Sequence, residues 1–401
     1  VREPFARTPS SSTPHAFFAT CPRGLEAALA DELGALGLRE VAVVPGGVSF
    51  AGTSRDGRRA NLWSRLASRV LWRVAAGRYR HEDDVYRLAH GLDWGDWFDV
   101  DATLRVQVSA VNSPLRSLEF ITLRIKDAIC DRFRTETGRR PSIDTARPDV
   151  RVHAFLDARD VVLYLDTSGD ALFKRGWRQH AAEAPLRENL AAGLLRLSGW
   201  TPGEPLLDPM CGGGTLPIEA AQMLLGRAPG AGRRFGFERL KGFDADAWKT
   251  ERAEALAAVP AEVTAQVSVF ARDLDAQAVA AAREHARAAG VDGLIAFEVA
   301  DVLAAEPPAA AGVLIANPPY GVRLSDTRAL QAMYPRLGDQ LKQRYAGWRA
   351  YLFSADTTLA KTIGLRASRR TPLFNGALEC RLYEYVMVAG SARASREDAP
   401  A

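Results

Sequence analysis

No two cysteines in this 401-residue chain stand at the spacing a metal site requires. Cys21, Cys130, Cys211 and Cys380 are scattered, and the six histidines show no ligand spacing either. These absences predict a reduced, cytoplasmic protein without a metal. Long apolar runs are also missing. Nothing approaches a membrane span, and the opening VREPFARTPSSSTPH has no apolar signal core. No membrane association is expected. Lysine is scarce beside arginine and alanine is abundant, a bias that a GC-rich coding sequence alone produces. The net charge of +4 and a pI near 8.9 suit a nucleic-acid partner without requiring one. A hydrophobic content of 47% with 25% charged residues fits a globular protein with room for two or three domains.

No internal repeat or low-complexity stretch is present, and periodicity divides the chain in two. FFATCP reads as a strand, GLEAALADELGALG as an amphipathic helix, and VAVVPGGVSF as a strand pair around a glycine turn. The stretch ANLWSRLASRVLWRVAAGRY places Leu62, Leu66, Val70 and Val74 four residues apart, which predicts a helix. TLRVQVSA alternates as a half-buried strand, SLEFITLRIKDAICDRFRTETG is helical up to Gly138, and DVRVHAFLDARDVVLYLDTSG reads as a hairpin turning at DARD. This first part is α+β. From about Ala184 strands alternate with helices, the mark of a doubly wound parallel sheet. Its expected strands are EPLLDPM, SVFARDLD, IAFEVAD, GVLIANPPY and RAYLFSA. The last stretch holds Asn375-Gly376 between two strand-like runs, a hairpin signal. The predicted class is therefore α/β, with a Rossmann-like class I methyltransferase sheet ending in an antiparallel hairpin.

The first crossover carries LLDPMCGGGTLPIEAA. Glycines at 212, 213 and 214 let backbone approach a ligand, and a helix starting near Thr215 points its first amides there. A dinucleotide fingerprint would need glycine where Pro217 stands, and a phosphate loop would need a lysine that is missing. A ligand-free tight turn is the bland alternative. S-adenosylmethionine fits best, because its methionine end needs close backbone rather than phosphate grips. At the next strand end Asp273 is placed to accept both ribose hydroxyls, while Asp275 reads as a helix cap. The long interval between loop and strand marks an inserted segment, LLGRAPGAGRRFGFERLKGFDADAWKTERAEALAAVP, which could line the substrate side. Asp301 is placed either to accept from the adenine amino group or to cap a helix.

ANPPYGVRL follows the fourth strand. The Asn317 side-chain oxygen and the Pro318 carbonyl could accept both hydrogens of an exocyclic base amine and aim its lone pair at a sulfonium methyl. Pro318 and Pro319 fix φ, and Tyr320 can stack on a base. The competing reading is a Pro-Pro turn with a buried tyrosine.

DPMCGGGTLPIEAA and ANPPYGVRL resemble the cofactor and acceptor motifs of class I N-methyltransferases that carry a THUMP domain. DTSGDALFKRGWR, APLRENLAAGLL and PLFNGALECRLYEY narrow the resemblance to the bacterial family that methylates the N2 amine of a guanosine in large-subunit ribosomal RNA. The resemblance implies a ferredoxin-like segment at 17–57, a THUMP RNA-binding domain at 58–170 and a methyltransferase domain at 171–391, between a disordered leader (1–16) and tail (392–401). It puts Asp208, Pro209, Met210, Cys211, Gly212, Gly213, Gly214 and Thr215 on the cofactor loop, Asp273 and Asp301 on ribose and adenine, and Asn317 to Tyr320 on the acceptor motif. Gly213 stands where the family often has serine. Some relatives carry a second methyltransferase domain, and with only the first present one activity is expected.

Arg116, Arg124, Lys126, Arg132, Arg134, Arg139 and Arg140 lie on or near one helix, interspersed with acids. Charge alone reads this as a solvated face. The THUMP-like context implies phosphate contacts, with Arg124, Lys126, Arg132, Arg139 and Arg140 as RNA-binding candidates. Trp63, Trp72, Trp94 and Trp97 read as core rather than base-stacking residues. The expected function is methyl transfer from S-adenosylmethionine to guanine N2 in ribosomal RNA of the large subunit or its precursor. The alternatives are N6-adenine methylation of DNA or RNA, guanosine-N2 methylation of tRNA, and an inactive RNA-binding assembly factor.

Overall fold

The computed structural model describes residues 14–178, 186–257, 267–318 and 324–388, without the side chains of 324–331. Residues 1–13 of the expected leader and the whole expected tail lie outside the described residues, and the first strand already begins at His15. In chain order come β1 (His15–Thr20), α1 (Glu26–Ala35), β2 (Arg39–Val44), β3 (Gly47–Gly52), α2 (Ser54–Trp63), β4 (Arg69–Arg78), α3 (Glu82–His90), β5 (Leu104–Ala110), α4 (Leu118–Thr137), β6 (Val150–Leu156) and β7 (Asp160–Asp166). Then follow α5 (Glu188–Leu197), β8 (Leu206–Asp208), α6 (Thr215–Leu224), α7 (Ala245–Ala257), β9 (Val269–Asp273), α8 (Ala276–Ala288), β10 (Ile295–Val299) and β11 (Gly312–Ala316). The described chain closes with α9 (Leu324–Arg344), β12 (Trp348–Ser354), α10 (Leu359–Thr362), β13 (Arg369–Asn375) and β14 (Leu378–Val386). Two compact units result, one of Val1–Arg175 with Ala228–Ala258, the other of Gly176–Arg227 with Val259–Ala401.

The first unit is built on one seven-stranded sheet in the order β2-β3-β1-β4-β7-β6-β5. The boundary expected at 57/58 falls inside α2, and the sheet continues across it through the antiparallel pairs β1–β4 and β4–β7. The helix predicted over 60–79 is overturned: α2 stops at Trp63 and Arg69–Arg78 is strand. A four-residue spacing is even, so it serves a strand face as well as a helix stripe. Val70 and Leu71 are buried, a register shift follows between Arg73 and Ala75, and Ala75 is buried again. That shift scrambled the alternation in the sequence. The other predicted elements of this unit are present, including the stop of α4 at Gly138, with φ 72°. The tryptophans divide: Trp94 and Trp97 are buried, whereas Trp63 and Trp72 are half-buried.

The DTSG stretch after β7 is a structural knot. Asn61 donates to the Gly57 carbonyl and the Thr167 hydroxyl at 2.9 Å each, the Ser168 hydroxyl donates to Asn61 Oδ1 at 2.6 Å, and the Val70 amide donates to Ser168 Oγ at 2.8 Å. Buried polar groups that all find partners fix one arrangement rather than several. Asp166 joins it through an ion pair with Arg69 and by accepting from the Ser168 amide at 2.8 Å.

The inserted segment belongs to this unit from Ala228 onward. Its aromatic residues explain the attachment. Phe235 and Phe237 stack at 5.0 Å, and both meet the edge of Trp248, at 5.6 and 5.0 Å. Backbone bonds from Gly230 to the Leu62 carbonyl and from Phe237 to the Thr167 carbonyl, each 3.0 Å, and two bonds from Arg58 to Glu251 complete it.

The second unit has the order β10-β9-β8-β11-β12-β14-β13, with β8 to β12 parallel and β14 antiparallel to both neighbours. Every strand expected here is present. β11 is buried at all five positions, as a central parallel strand covered on both faces must be. Gly376, at φ 65°, turns the closing hairpin after Asn375.

A side chain on Gly236 would sit 2.6 Å from the Asp166 carbonyl oxygen and 2.9 Å from the Gly169 nitrogen. Gly236→Ala is therefore expected to lower unfolding free energy by about 2 kcal/mol in urea titrations, because backbone cannot yield as a side chain can. Gly232→Ala, in the same segment but with nothing within 4 Å, is expected to leave the midpoint nearly unchanged.

Candidate active site

The chain order of the second sheet reverses at β8, which lies between β9 and β11. Loops leaving the carboxyl ends of such neighbours part in opposite directions and open a crevice. The residues expected to act together meet at this edge: 209–214 after β8, Asp273 at the end of β9, Asp301 after β10, and Asn317 with Pro318 after β11.

The loop from Pro209 to Gly214 owes its shape to two left-handed glycines, Gly212 at φ 49° and Gly214 at φ 80°. A Cβ on Gly214 would stand 2.9 Å from that of Ala282 in α8, so this glycine also permits close helix packing. Around Gly212 nothing lies within 4 Å of an added Cβ, and the loop is open there. Pro209 and Cys211 are buried, and Met210 packs on the core beneath. The Cys211 amide donates to the Arg272 carbonyl at 2.8 Å. Thr215 begins α6, whose first amides have no partner within the helix.

Asp273 holds the loop directly: its Oδ2 accepts from the Gly212 amide at 2.9 Å and its Oδ1 from the Asp275 amide at 3.0 Å. Each carboxylate oxygen keeps a further acceptor site. Asp275 caps α8 by accepting from the Gln277 amide. Asp301 Oδ1 caps a turn through the Leu303 amide at 2.9 Å, and Oδ2 makes no hydrogen bond among the described residues. Both readings of Asp301 are thus compatible with its geometry. Asp208 is buried at 3% exposure, and burial, reinforced by the charge of Asp273, pushes its pKa up to about 8 against the pull of the Met210 amide. Burial likewise raises the Cys211 thiol, with Asp208 and Asp273 adding to it, so this cysteine stays protonated and no nucleophile.

On the acceptor side Asn317 is half-buried and Pro318 buried. Pro319 and Tyr320 lie outside the described residues. The residues present fit S-adenosylmethionine: an open glycine loop, amides at a helix start, and a strand-end carboxylate with spare acceptor capacity. Leu274, 71% exposed between Asp273 and Asp275, adds an apolar surface that the sequence reading passed over. It also passed over His285, whose Nδ1 meets the Gly213 carbonyl at 2.9 Å, and Arg178, whose Nη2 donates to Thr215 Oγ1 at 2.8 Å. No spacing rule links His285 to Gly213, 72 positions away. Arg178 stood in a stretch that carried the family resemblance.

The RNA candidates sit on α4 and just after it, largely in ion pairs. Arg124 pairs with Asp83 and lies 4.4 Å over the Tyr86 ring, Lys126 pairs with Asp127, Arg132 with Asp93 and Glu136, and Arg139 with Asp101. Arg140 is exposed. Surface pairs of this kind contribute little and exchange readily for other anions. Beside them Phe120 is 50% exposed at the start of α4, an aromatic surface that a search confined to tryptophan missed. Among the described residues no three metal-ligating side chains converge, and no helix is long and apolar enough to cross a membrane.

Two expectations follow. The neutral Asp208 carboxyl stabilises the ligand-free fold fully below about pH 4, where the unfolded chain is also protonated. That contribution declines as pH rises and is gone above about pH 8. Asp208→Asn should therefore gain melting temperature relative to the parent as pH goes from 5 to 9. Gly213→Ser should be tolerated, since its Cβ meets only the His285 ring at 3.6 Å, whereas Gly214→Ser should cost about 1–3 kcal/mol in urea unfolding.

Known proteins resemble this chain along most of its length. A family model described as the RMKL-like methyltransferase domain matches residues 175–384, the RlmL ferredoxin-like domain matches 16–71, and the THUMP domain matches 79–166. The ribosomal RNA large subunit methyltransferase K/L of Photobacterium profundum is 41% identical over 389 residues, covering 96% of this chain and 54% of its own. The chain thus spans about half the length of that relative. A Synechocystis protein named "Putative RNA methyltransferase slr0064" is 40% identical, covering 94% of this chain and 97% of its own. A solved structure titled "SMU.472, a putative methyltransferase complexed with SAH" matches with TM-score 0.84 and 30% identity over 93% of this chain and 98% of its own. A Listeria monocytogenes structure titled "predicted N6-adenine-specific DNA methylase" matches with TM-score 0.84 and 31% identity over 94% and 97%. The chain belongs to the RMKL-like methyltransferases that carry an RlmL ferredoxin-like domain and a THUMP domain.

Proposed function

We propose that this protein transfers a methyl group from S-adenosylmethionine to the exocyclic N2 amine of a guanosine in large-subunit ribosomal RNA. The observation that carries the reading is the meeting of the glycine loop, Asp273 and the Asn317–Pro318 turn at one sheet edge, in a chain whose first part matches a THUMP domain. Relatives named for the ribosomal large subunit favour that RNA, and a cytoplasmic setting goes with it.

The backbone of Gly212 to Gly214 and the start of α6 would hold the methionine end, Asp273 the ribose hydroxyls, Asp301 the adenine amino group, and Leu274 an apolar face. When bound, the cofactor supplies an electrophilic methyl on a sulfonium. The chain's own contribution is placement. Asn317 Oδ1 and the Pro318 carbonyl accept the two amine hydrogens and turn the nitrogen lone pair out of conjugation with the ring. The bound donor would supply the methyl as its carbon–sulfur bond breaks, and the surplus amine proton would leave to solvent. Neutral acceptors suffice for this, and the protonated Cys211 thiol takes no part. Arg124, Lys126, Arg132 and Arg139 would meet phosphates in place of their present carboxylates, and Arg140 would join them, which makes RNA affinity fall with salt.

One observation favours a second reading. The Listeria relative is titled for N6-adenine, and two carbonyl-type acceptors serve any exocyclic amine. Incubation with ribosomal RNA followed by nucleoside mass spectrometry separates the two: N2-methylguanosine is expected, and N6-methyladenosine alone would overturn the proposal. Asn317→Ala is expected to lower kcat by about 100-fold or more while S-adenosylmethionine affinity in calorimetry stays within about threefold. Equal loss of both would make Asn317 a structural residue.

A further inference from the structure

We infer that Arg178 and His285 are positioning residues that brace the glycine loop where it enters α6, at Gly213 and Thr215, and so set the affinity for the methyl donor. This rests on the cofactor reading above.

The loop cannot be stiffened from its ligand side, where Gly212 faces open space. Its glycines have little conformational preference of their own, so its shape depends on bonds from the protein side. At the far end Arg178 Nη2 donates to Thr215 Oγ1 at 2.8 Å, while its Nε donates to the buried Glu188 at 3.2 Å. A guanidinium with one end on a buried carboxylate has little freedom left for the other. Within the loop His285 reaches Gly213 from α8. A carbonyl only accepts, so Nδ1 carries a proton and donates to it. Nε2 is buried and has no hydrogen-bond partner. An imidazole left half-satisfied in a buried helix position is a poor filler, since leucine would occupy the place without an unpaired polar atom. What the imidazole offers that leucine does not is the bond to Gly213. That bond fixes the Gly213–Gly214 peptide, whose amide already donates to the Cys211 carbonyl at 2.8 Å. The two braces are joined behind the loop. The Trp177 ring lies 5.7 Å from that of His285, and Arg178 rests 5.2 Å over the same tryptophan. Thr215, Arg178, Trp177, His285 and Gly213 form one continuous chain of contacts.

The test uses the full chain. S-adenosylmethionine affinity is measured by calorimetry, kcat and KM with RNA, and melting temperature without ligand, for His285→Leu, His285→Asn, His285→Gln, Arg178→Met and Thr215→Val. Asparagine keeps a donor at the reach of Nδ1, and glutamine moves it to the reach of Nε2. His285→Leu and Arg178→Met are expected to weaken cofactor binding about tenfold or more, with kcat at saturating cofactor within about threefold. His285→Asn is expected to recover most of that loss and His285→Gln little of it. Arg178→Met and Thr215→Val should be non-additive when combined. Wild-type affinity in both His285→Leu and Arg178→Met, or equal losses in the three His285 variants that merely follow their melting temperatures, would overturn the inference while leaving the cofactor reading intact. Failure of the unaltered protein to bind S-adenosylmethionine would overturn both.

Discussion

The hydrogen bond from the Gly212 amide to Asp273 is the constraint on which the candidate site depends. It ties the loop leaving β8 to the end of the neighbouring β9, so that backbone shaped for a ligand and a carboxylate suited to a ribose are held as one piece. Asp208, sealed beneath the loop, has its pKa raised chiefly by burial, with the charge of Asp273 adding to it. The glycines are then a consequence of geometry: Gly212 must turn left-handed to aim its amide at Asp273, and Gly214 must turn again to start α6 against α8.

Much of this was legible in the sequence because it is local. Strand ends, glycine loop and acceptor turn are each contiguous, and a central strand such as β11 declares itself by an unbroken apolar run. The failures arose where the deciding contact is remote or where two periods coincide. Leu62, Leu66, Val70 and Val74 satisfy a helix and a strand equally, and only pairing with β1 and β7 decides for β4. The inserted segment could not be placed from its own residues, since Arg58 and Glu251 lie 193 positions apart. His285 carries no motif; its meaning comes from a carbonyl in another loop.

The resemblance stretches divide on the same line. DTSG proved to be a knot that closes the first sheet, with Asn61, Thr167, Ser168 and Val70 satisfying one another. Such a cluster is strongly specified by sequence and says nothing of chemistry. Further along the same run, Trp177 and Arg178 belong to the second unit, where they touch the His285 ring and the Thr215 hydroxyl. A contiguous signature can therefore serve two physical purposes, and only coordinates separate them.

The acceptor side shows why the reading stops short of one base. Asn317 Oδ1 and the Pro318 carbonyl are acceptors, and an exocyclic amine presents the same two hydrogens on guanine and adenine. Discrimination must come from groups that read the ring edge beside the amine: N1 is a donor in guanine and an acceptor in adenine. Pro318 has no amide hydrogen and the β11 residues before it are paired in the sheet, which leaves Asn317 as the residue of the described turn that carries donors. Two carbonyl-type acceptors therefore suit an exocyclic amine on either ring, and the choice between the rings lies outside their chemistry.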